Sequence, residues 1–259
     1  MIYELRVYQC GDWCSRMLAA RGFILFVSLV TALCEEEAFL TPCDITDTEC
    51  LRKSTQKFLA KTANGVAEYD IRAIDPMHLA SVDFLLSEEY GVWNHLSNLT
   101  IIGLKNQDLS KFSLDTETKA VELQTKLDLI ITGDITVEVK KRGKSFSGSI
   151  LIKGSALGTA NYNYDFKTDA NGVTHFEVSP ETISCQPIDE AVIKLGPELL
   201  ESLRTDPDIQ PEREKIKTNS ADKGNSLLCA IVEKAYVTVV HNIRASAKIL
   251  PKDAFLKGV

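Results

Sequence analysis

The chain has 259 residues, 44% hydrophobic and 25% charged, the make-up of an ordinary globular protein. Its formal net charge of −7 gives no electrostatic basis for binding nucleic acid or an anionic membrane surface. The histidines are scattered and no CxxC pair occurs, so neither a metal nor a cofactor is expected.

The first element is an apolar run, "GFILFVSLVTA" at 22–32, with Arg16 and Arg21 ahead of it. Ala32 and Cys34 are small residues just before "EEE". The run is shorter than the roughly 20 residues that cross a bilayer, and its flanks are those of a signal peptide. Residues 1–34 are therefore read as a leader removed on secretion, and 35–259 as the mature domain. Met17 is an alternative start that would make 1–16 an upstream extension. Cys10, Cys14 and Cys34 fall in the leader, which leaves Cys43, Cys50, Cys185 and Cys229. An even number in a secreted chain points to two disulfides, with three pairings open. The short separation favours Cys43–Cys50, and hence Cys185–Cys229. Seven helical residues span about 10.5 Å, whereas a disulfide tolerates a Cα separation of about 7 Å. Cys43 must then lie off the helix that carries Cys50, as Pro42 beside it allows.

Asp47 predicts an N-cap for a helix through "TECLRKSTQKFLAKTA", with Cys50, Leu51, Phe58 and Leu59 on its apolar side and a stop at Gly65. Pro76 breaks any helix in "YDIRAIDPMHLASVDFLL", and alternation begins there. From Asn98 to Phe176 the pattern is that of strands. In "AVELQTKLDLIITGDITVEVKK", Val121, Leu123, Leu127, Leu129 and Ile131 alternate with Glu122, Gln124, Lys126 and Asp128. Gly133-Asp134 is expected to interrupt this run before Val137 and Val139 resume it. Turn signals at Arg142-Gly143 and Asn171-Gly172 predict an antiparallel meander with one apolar face. The strand "KGSALGTANYNYDF" carries Gly154, Ala156, Gly158, Ala160, Tyr162, Tyr164 and Phe166 on its dry face. Four small residues there mark either the close approach of another element or an unfilled space, with the tyrosines at its border.

Residues 205–225 read as a polar loop with one short helix at most, and as the most mobile segment. "SLLCAIVEKAYVTVVHNIRASAKIL" then predicts a helix of about 25 residues, roughly 37 Å long. Lys234, Thr238, His241, Arg244 and Lys248 make one polar stripe, and nearly everything else is apolar. The stripe argues against a membrane span. The apolar remainder needs a covering partner, which a meander curled around the helix would supply. The tail "LPKDAFLKGV" offers Phe255 and Leu256 after Pro251, with little in sequence to hold it.

Four stretches together carry a resemblance: "PCDITDTECLRKSTQKFLAKTANG", "YDIRAIDPM", "HFEVSPETISC" and "VVHNIRASAKILP". In order and spacing they resemble the haemolymph juvenile hormone binding proteins of moths, within the takeout family. The resemblance implies an α+β fold, with a long C-terminal helix wrapped by a strongly curved antiparallel sheet. It implies a hydrophobic pocket at one end and the two disulfides above. It implies a monomeric, non-enzymatic carrier, secreted into the haemolymph, that transports juvenile hormone and shields it from degradation. That ligand is a sesquiterpenoid epoxide methyl ester. A tyrosine at the position of Tyr162 would donate a hydrogen bond to the epoxide, and the N- and C-terminal helices would gate the pocket mouth. On this reading the ligand-contacting residues are Tyr162, Phe176, Phe58, Val239 and Phe255, with Phe255 in a tail that closes over bound ligand. A carrier of another terpenoid or a fatty ligand is the second reading. A secreted esterase is the third, and the chain lacks the GxSxG of a nucleophile elbow. "RGKSFSG" lacks the upstream glycine of a phosphate-binding loop. Asn98-Leu99-Thr100 is an N-glycosylation sequon.

Overall fold

The structure is a computed structural model that describes residues 40–217 and 220–258. The leader expected at 1–34 lies outside the described residues.

Helix α1 spans Thr48–Thr62, and the Asp47 carboxylate caps it by accepting from the Cys50 N–H at 3.0 Å. Cys43 sits ahead of the helix, with its Cα 5.7 Å from that of its disulfide partner Cys50. Cys185 and Cys229 form the second disulfide. After α1 the chain turns through Gly65, whose φ is +79°. A Cβ there would come within 2.8–2.9 Å of the backbone of Ala73 and Ile71, so both the conformation and the space require glycine.

Eight strands follow: β1 Met77–Ser87, β2 Val92–Ile102, β3 Asp108–Asp115, β4 Ala120–Val139, β5 Lys144–Thr168, β6 Thr174–Val178, β7 Thr182–Pro187 and β8 Val192–Leu195. All pair antiparallel, in the order β1-β2-β4-β5-β6. The first part of β4 also pairs with β3, and β5 takes β8, β7 and β6 in turn along its other edge. The odd residues of β4 face the core and the even ones face outward, as the alternation predicts.

Gly133 does not interrupt β4. The irregularity falls across from it, in β2, where Asn98 and Leu99 together oppose Gly133 and Asn98 takes a φ of +52°. The missing side chain makes room for that bulge, because a Cβ on Gly133 would stand 2.7 Å from Leu99 Cδ2. The sheet begins at Met77, just after Pro76 where alternation starts, and extends beyond the strands expected between Asn98 and Phe176 to Leu195. Strands β7 and β8 have only six and four residues, too few for a period to register.

The stretch read as a polar loop is mostly helical. Helix α2 covers Pro197–Thr205, α3 covers Gln210–Lys217, and α4 begins at Ser220 rather than near Ser226. Buried Leu199 and Ile209 anchor these polar turns. Lys144 ties them to the sheet through Asp206 at 2.7 Å and Asp208 at 2.6 Å. Between Thr205 and Asn225 the only aliphatic side chains are Ile209, Ile216 and Ala221, too few for a helical period to register.

Helix α4, Ser220–Ile249, has 30 residues and is about 45 Å long. Leu228, Ile231, Tyr236 and Val240 along it are wholly buried. The small stripe of β5 is their seat. A Cβ on Gly154 would lie 2.6 Å from Leu228 Cδ2, and one on Gly158 would lie 2.9 Å from Tyr236 Cε2. The small residues therefore admit the helix, and the space they leave is filled. The polar stripe fastens the helix to its surroundings. His241 Nε2 meets the Asp70 carbonyl oxygen at 2.9 Å, and Arg244 donates to the carbonyls of Val178 and Ser179 and pairs with Glu181.

Candidate functional site

An apolar cavity of about 170 Å³ lies between α1, the inner face of the sheet, the C-terminal half of α4 and the chain's tail. Each wall follows from local periodicity. Helix α1 presents Leu51, Thr55, Phe58 and Thr62 at three- and four-residue spacing. Strand β3 contributes Leu109, Phe112 and Leu114, and β4 contributes Val121, Leu123 and Thr125. Tyr162 and Tyr164 come from β5, Phe176 and Val178 from β6, and Val239, Ile243 and Ala247 from α4. The five residues expected to contact ligand, Tyr162, Phe176, Phe58, Val239 and Phe255, all line this one cavity. None of Gly154, Ala156, Gly158 and Ala160 does; the cavity starts just beyond them, where β5 changes from small residues to phenols.

Most polar groups in the wall are already bonded. Thr62 donates to the Phe58 carbonyl and Ser246 to that of Asn242, as helical hydroxyls commonly do. The Asn242 amide is held by the backbone of Arg72 at 2.8 Å on both sides. Thr125 donates to Gln107 at 2.8 Å and shares a 2.9 Å hydrogen bond with Tyr236, whose pKa burial raises to about 12. This network closes the inner end of the cavity. The hydroxyls of Thr55, Tyr164 and Tyr162 are different: none makes a hydrogen bond among the described residues, and Tyr162 is only 9% exposed. Burial, helped slightly by Tyr236, pushes its pKa far up, so the phenol stays protonated and remains a donor. Tyr164 is buried as well and packs edge-on against Phe176, with ring centroids 5.3 Å apart.

Phe255 and Leu256 close one side. Phe255 meets Phe176 edge-to-face at 5.8 Å. The tail is held, contrary to the expectation from sequence. The Cys43 N–H donates to the Phe255 carbonyl at 3.3 Å, and the Lys257 N–H donates to the Cys43 carbonyl at 2.9 Å. The Cys43–Cys50 disulfide then joins this short parallel bridge to α1. Sequence reasoning also passed over Phe112, Leu114 and Thr55. The alternation of "LSKFSLD" carries the first two, and the helical spacing from Leu51 carries the third. Asn98 is exposed on its bulge, and its Nδ2 donates to Asp134 at 2.8 Å.

The family model for haemolymph juvenile hormone binding protein matches residues 23–187. A juvenile hormone-binding protein of Manduca sexta is 45% identical over 227 residues, which is 88% of this chain and 99% of that protein. The chain belongs to the haemolymph juvenile hormone binding protein family. The fold is also that of Takeout 1 of Epiphyas postvittana, which matches at a TM-score of 0.69 and 19% identity, over 84% of this chain and all of that one. Haemolymph juvenile hormone binding proteins are carriers without catalytic activity. Among the described residues no cluster of histidine, cysteine and carboxylate side chains could hold a metal.

Proposed function

We propose that this protein is a secreted haemolymph carrier that takes juvenile hormone into the cavity between α1, β5 and α4, transports it and shields it from degradation. The observation that carries this reading is the buried, unpaired Tyr162 hydroxyl on a largely apolar wall, whose other unpaired donors are the hydroxyls of Tyr164 and Thr55. A ligand that is nearly all hydrocarbon, with one epoxide oxygen needing a donor, matches that wall. Phe58, Phe176, Val239 and Phe255 would enclose its chain. The name and close similarity of the Manduca sexta relative support the choice of ligand. Burying about ten methylene equivalents at roughly 0.8 kcal/mol each is worth about 8 kcal/mol, which suits sub-micromolar binding once a hydrogen bond offsets part of the ordering cost. Titration of the purified protein with labelled hormone should saturate at one molecule per chain with a Kd below about 1 µM. Binding weaker than about 100 µM, with a plain fatty acid bound more tightly, would favour the reading as a carrier of another apolar ligand.

Secretion and processing belong to the same reading. The mature protein should begin near Glu35, with all four remaining cysteines in disulfides and a glycan on Asn98 in place of that side chain's hydrogen bond to Asp134. Intact-mass analysis of secreted protein, before and after enzymatic deglycosylation, checks all three points. A retained leader, a free thiol or an unmodified Asn98 would each remove the corresponding part.

A further inference from the structure

A second cavity, of about 860 Å³, lies at the opposite ends of the same long elements. Its walls are Val92 of β2, Val137 and Val139 of β4, Ile150 of β5, Ile193 of β8 and Leu227 of α4, with α2 and α3 along its side. It shares no lining residue with the first cavity. The middle of α4 stands between them, where Leu228 and Tyr236 sit on the glycines of β5 and Tyr236 bonds Thr125.

Two features separate this space from a mere packing defect. One is Asn94, which lines it from β2 and is 6% exposed. Its Oδ1 is fully buried with no partner, and its Nδ2 makes no hydrogen bond among the described residues either. A buried amide without a partner is costly and rare, and a native protein that keeps one commonly uses it. The other feature is charge. The charged residues of the wall are Lys194, Arg204, Arg213 and Lys223 against Glu214 alone, on a chain whose net charge is −7. Arg204 is paired with Glu201, and Arg213 with Glu214. Lys194 and Lys223 have no ion pair among the described residues.

We propose that this cavity is a second binding site, for a long-chain carboxylate that carries a hydroxyl group on its chain. The hydrocarbon fills the aliphatic interior. The carboxylate meets Lys194 and Lys223 at the rim, where opposite charge gives both attraction and orientation. The hydroxyl accepts from Asn94 Nδ2, the end of the amide that is unpaired but not fully buried. A neutral ester lacks the anion that this rim selects, so the two cavities would sort ligands by charge.

Calorimetry on the mature protein with three probes tests the proposal: 12-hydroxyoctadecanoate, octadecanoate, and the methyl ester of the first. The hydroxy acid should bind most tightly, with no displacement of juvenile hormone. Asn94→Leu, nearly the same size, should weaken the hydroxy acid by about tenfold and leave octadecanoate unchanged. Lys194→Glu combined with Lys223→Glu should weaken both acids by about tenfold and leave the ester unchanged. The double change lies at the rim, so it carries the test even if Asn94→Leu fails to fold. Three outcomes would each overturn the proposal: equal binding of all three probes, equal losses for acid and ester in the rim variant, or displacement of hormone by the hydroxy acid.

Discussion

Removing residues 252–259 is expected to raise the rate of hormone release by about 100-fold while leaving the fold in place. The loss takes Phe255 and Leu256 out of the cavity wall, and Leu256 is only 5% exposed. Fully burying side chains of this kind is worth roughly 1.5–3 kcal/mol each, and losing half of that for the pair accounts for a 100-fold change, about 2.7 kcal/mol. The truncation also removes the latch, since both backbone hydrogen bonds of the bridge to Cys43 involve Phe255 and Lys257. Helix α4 ends at Ile249, and His175 Nδ1 still meets the Leu250 carbonyl at 2.9 Å, so the helix keeps its seat. Because the disulfide joins Cys43 to α1, an opening tail would also loosen the α1 side of the mouth, which makes the two ends of the chain one gate. Dissociation measured by competition with excess unlabelled hormone, beside circular dichroism of the truncated protein, decides the matter. An unchanged release rate with an intact fold would show that the tail is wall and not gate.

Tyr162→Phe should weaken hormone binding by roughly 5- to 100-fold. The lower figure is the loss of one hydrogen bond of about 1 kcal/mol, and the upper one is the cost of burying the epoxide oxygen with no partner, about 1–3 kcal/mol. Stability should hardly change, because the hydroxyl makes no hydrogen bond among the described residues and the ring remains in place. An analogue in which a plain alkene replaces the epoxide should bind the variant and the parent protein equally. Burial also keeps the phenol protonated well above neutrality, so hormone affinity should show no ionisation of Tyr162 between about pH 6 and pH 9. Equal losses for hormone and alkene would make Tyr162 a packing residue, and no loss for either would take it out of the site.

Much of this molecule can be read locally. The Asp47 cap, the parity of β4, the turns at Gly143 and Gly172, and the polar stripe of α4 are each written within a few residues of one another. Backbone hydrogen bonding and burial have fixed periods, so each pattern names its element and the face it hides. The even count of cysteines after residue 34 led to both disulfides, because only one pairing was short enough to close locally. What a period cannot say is which distant element meets the hidden face.

That second kind of information exists only in three dimensions. From sequence, the stripe Gly154 to Ala160 is equally a void or a seat; the arrival of Leu228 and Tyr236 makes it a seat. Gly133 looks like the end of a strand, yet it is the partner of a bulge in β2 that its own strand does not encode. The tail looks free until Cys43, more than 200 residues away, supplies its two hydrogen bonds. The sequence alone determined the long elements α1, β4, β5 and α4, their buried faces, the disulfides and the family, but not α3, β7 or β8. The tertiary structure decided that Phe58, Tyr162, Phe176, Val239 and Phe255 share one cavity, and that Asn94 lies unpaired in another. The reason is that a cavity is a mismatch between several packed surfaces, and no single segment's pattern records a property of all of them together.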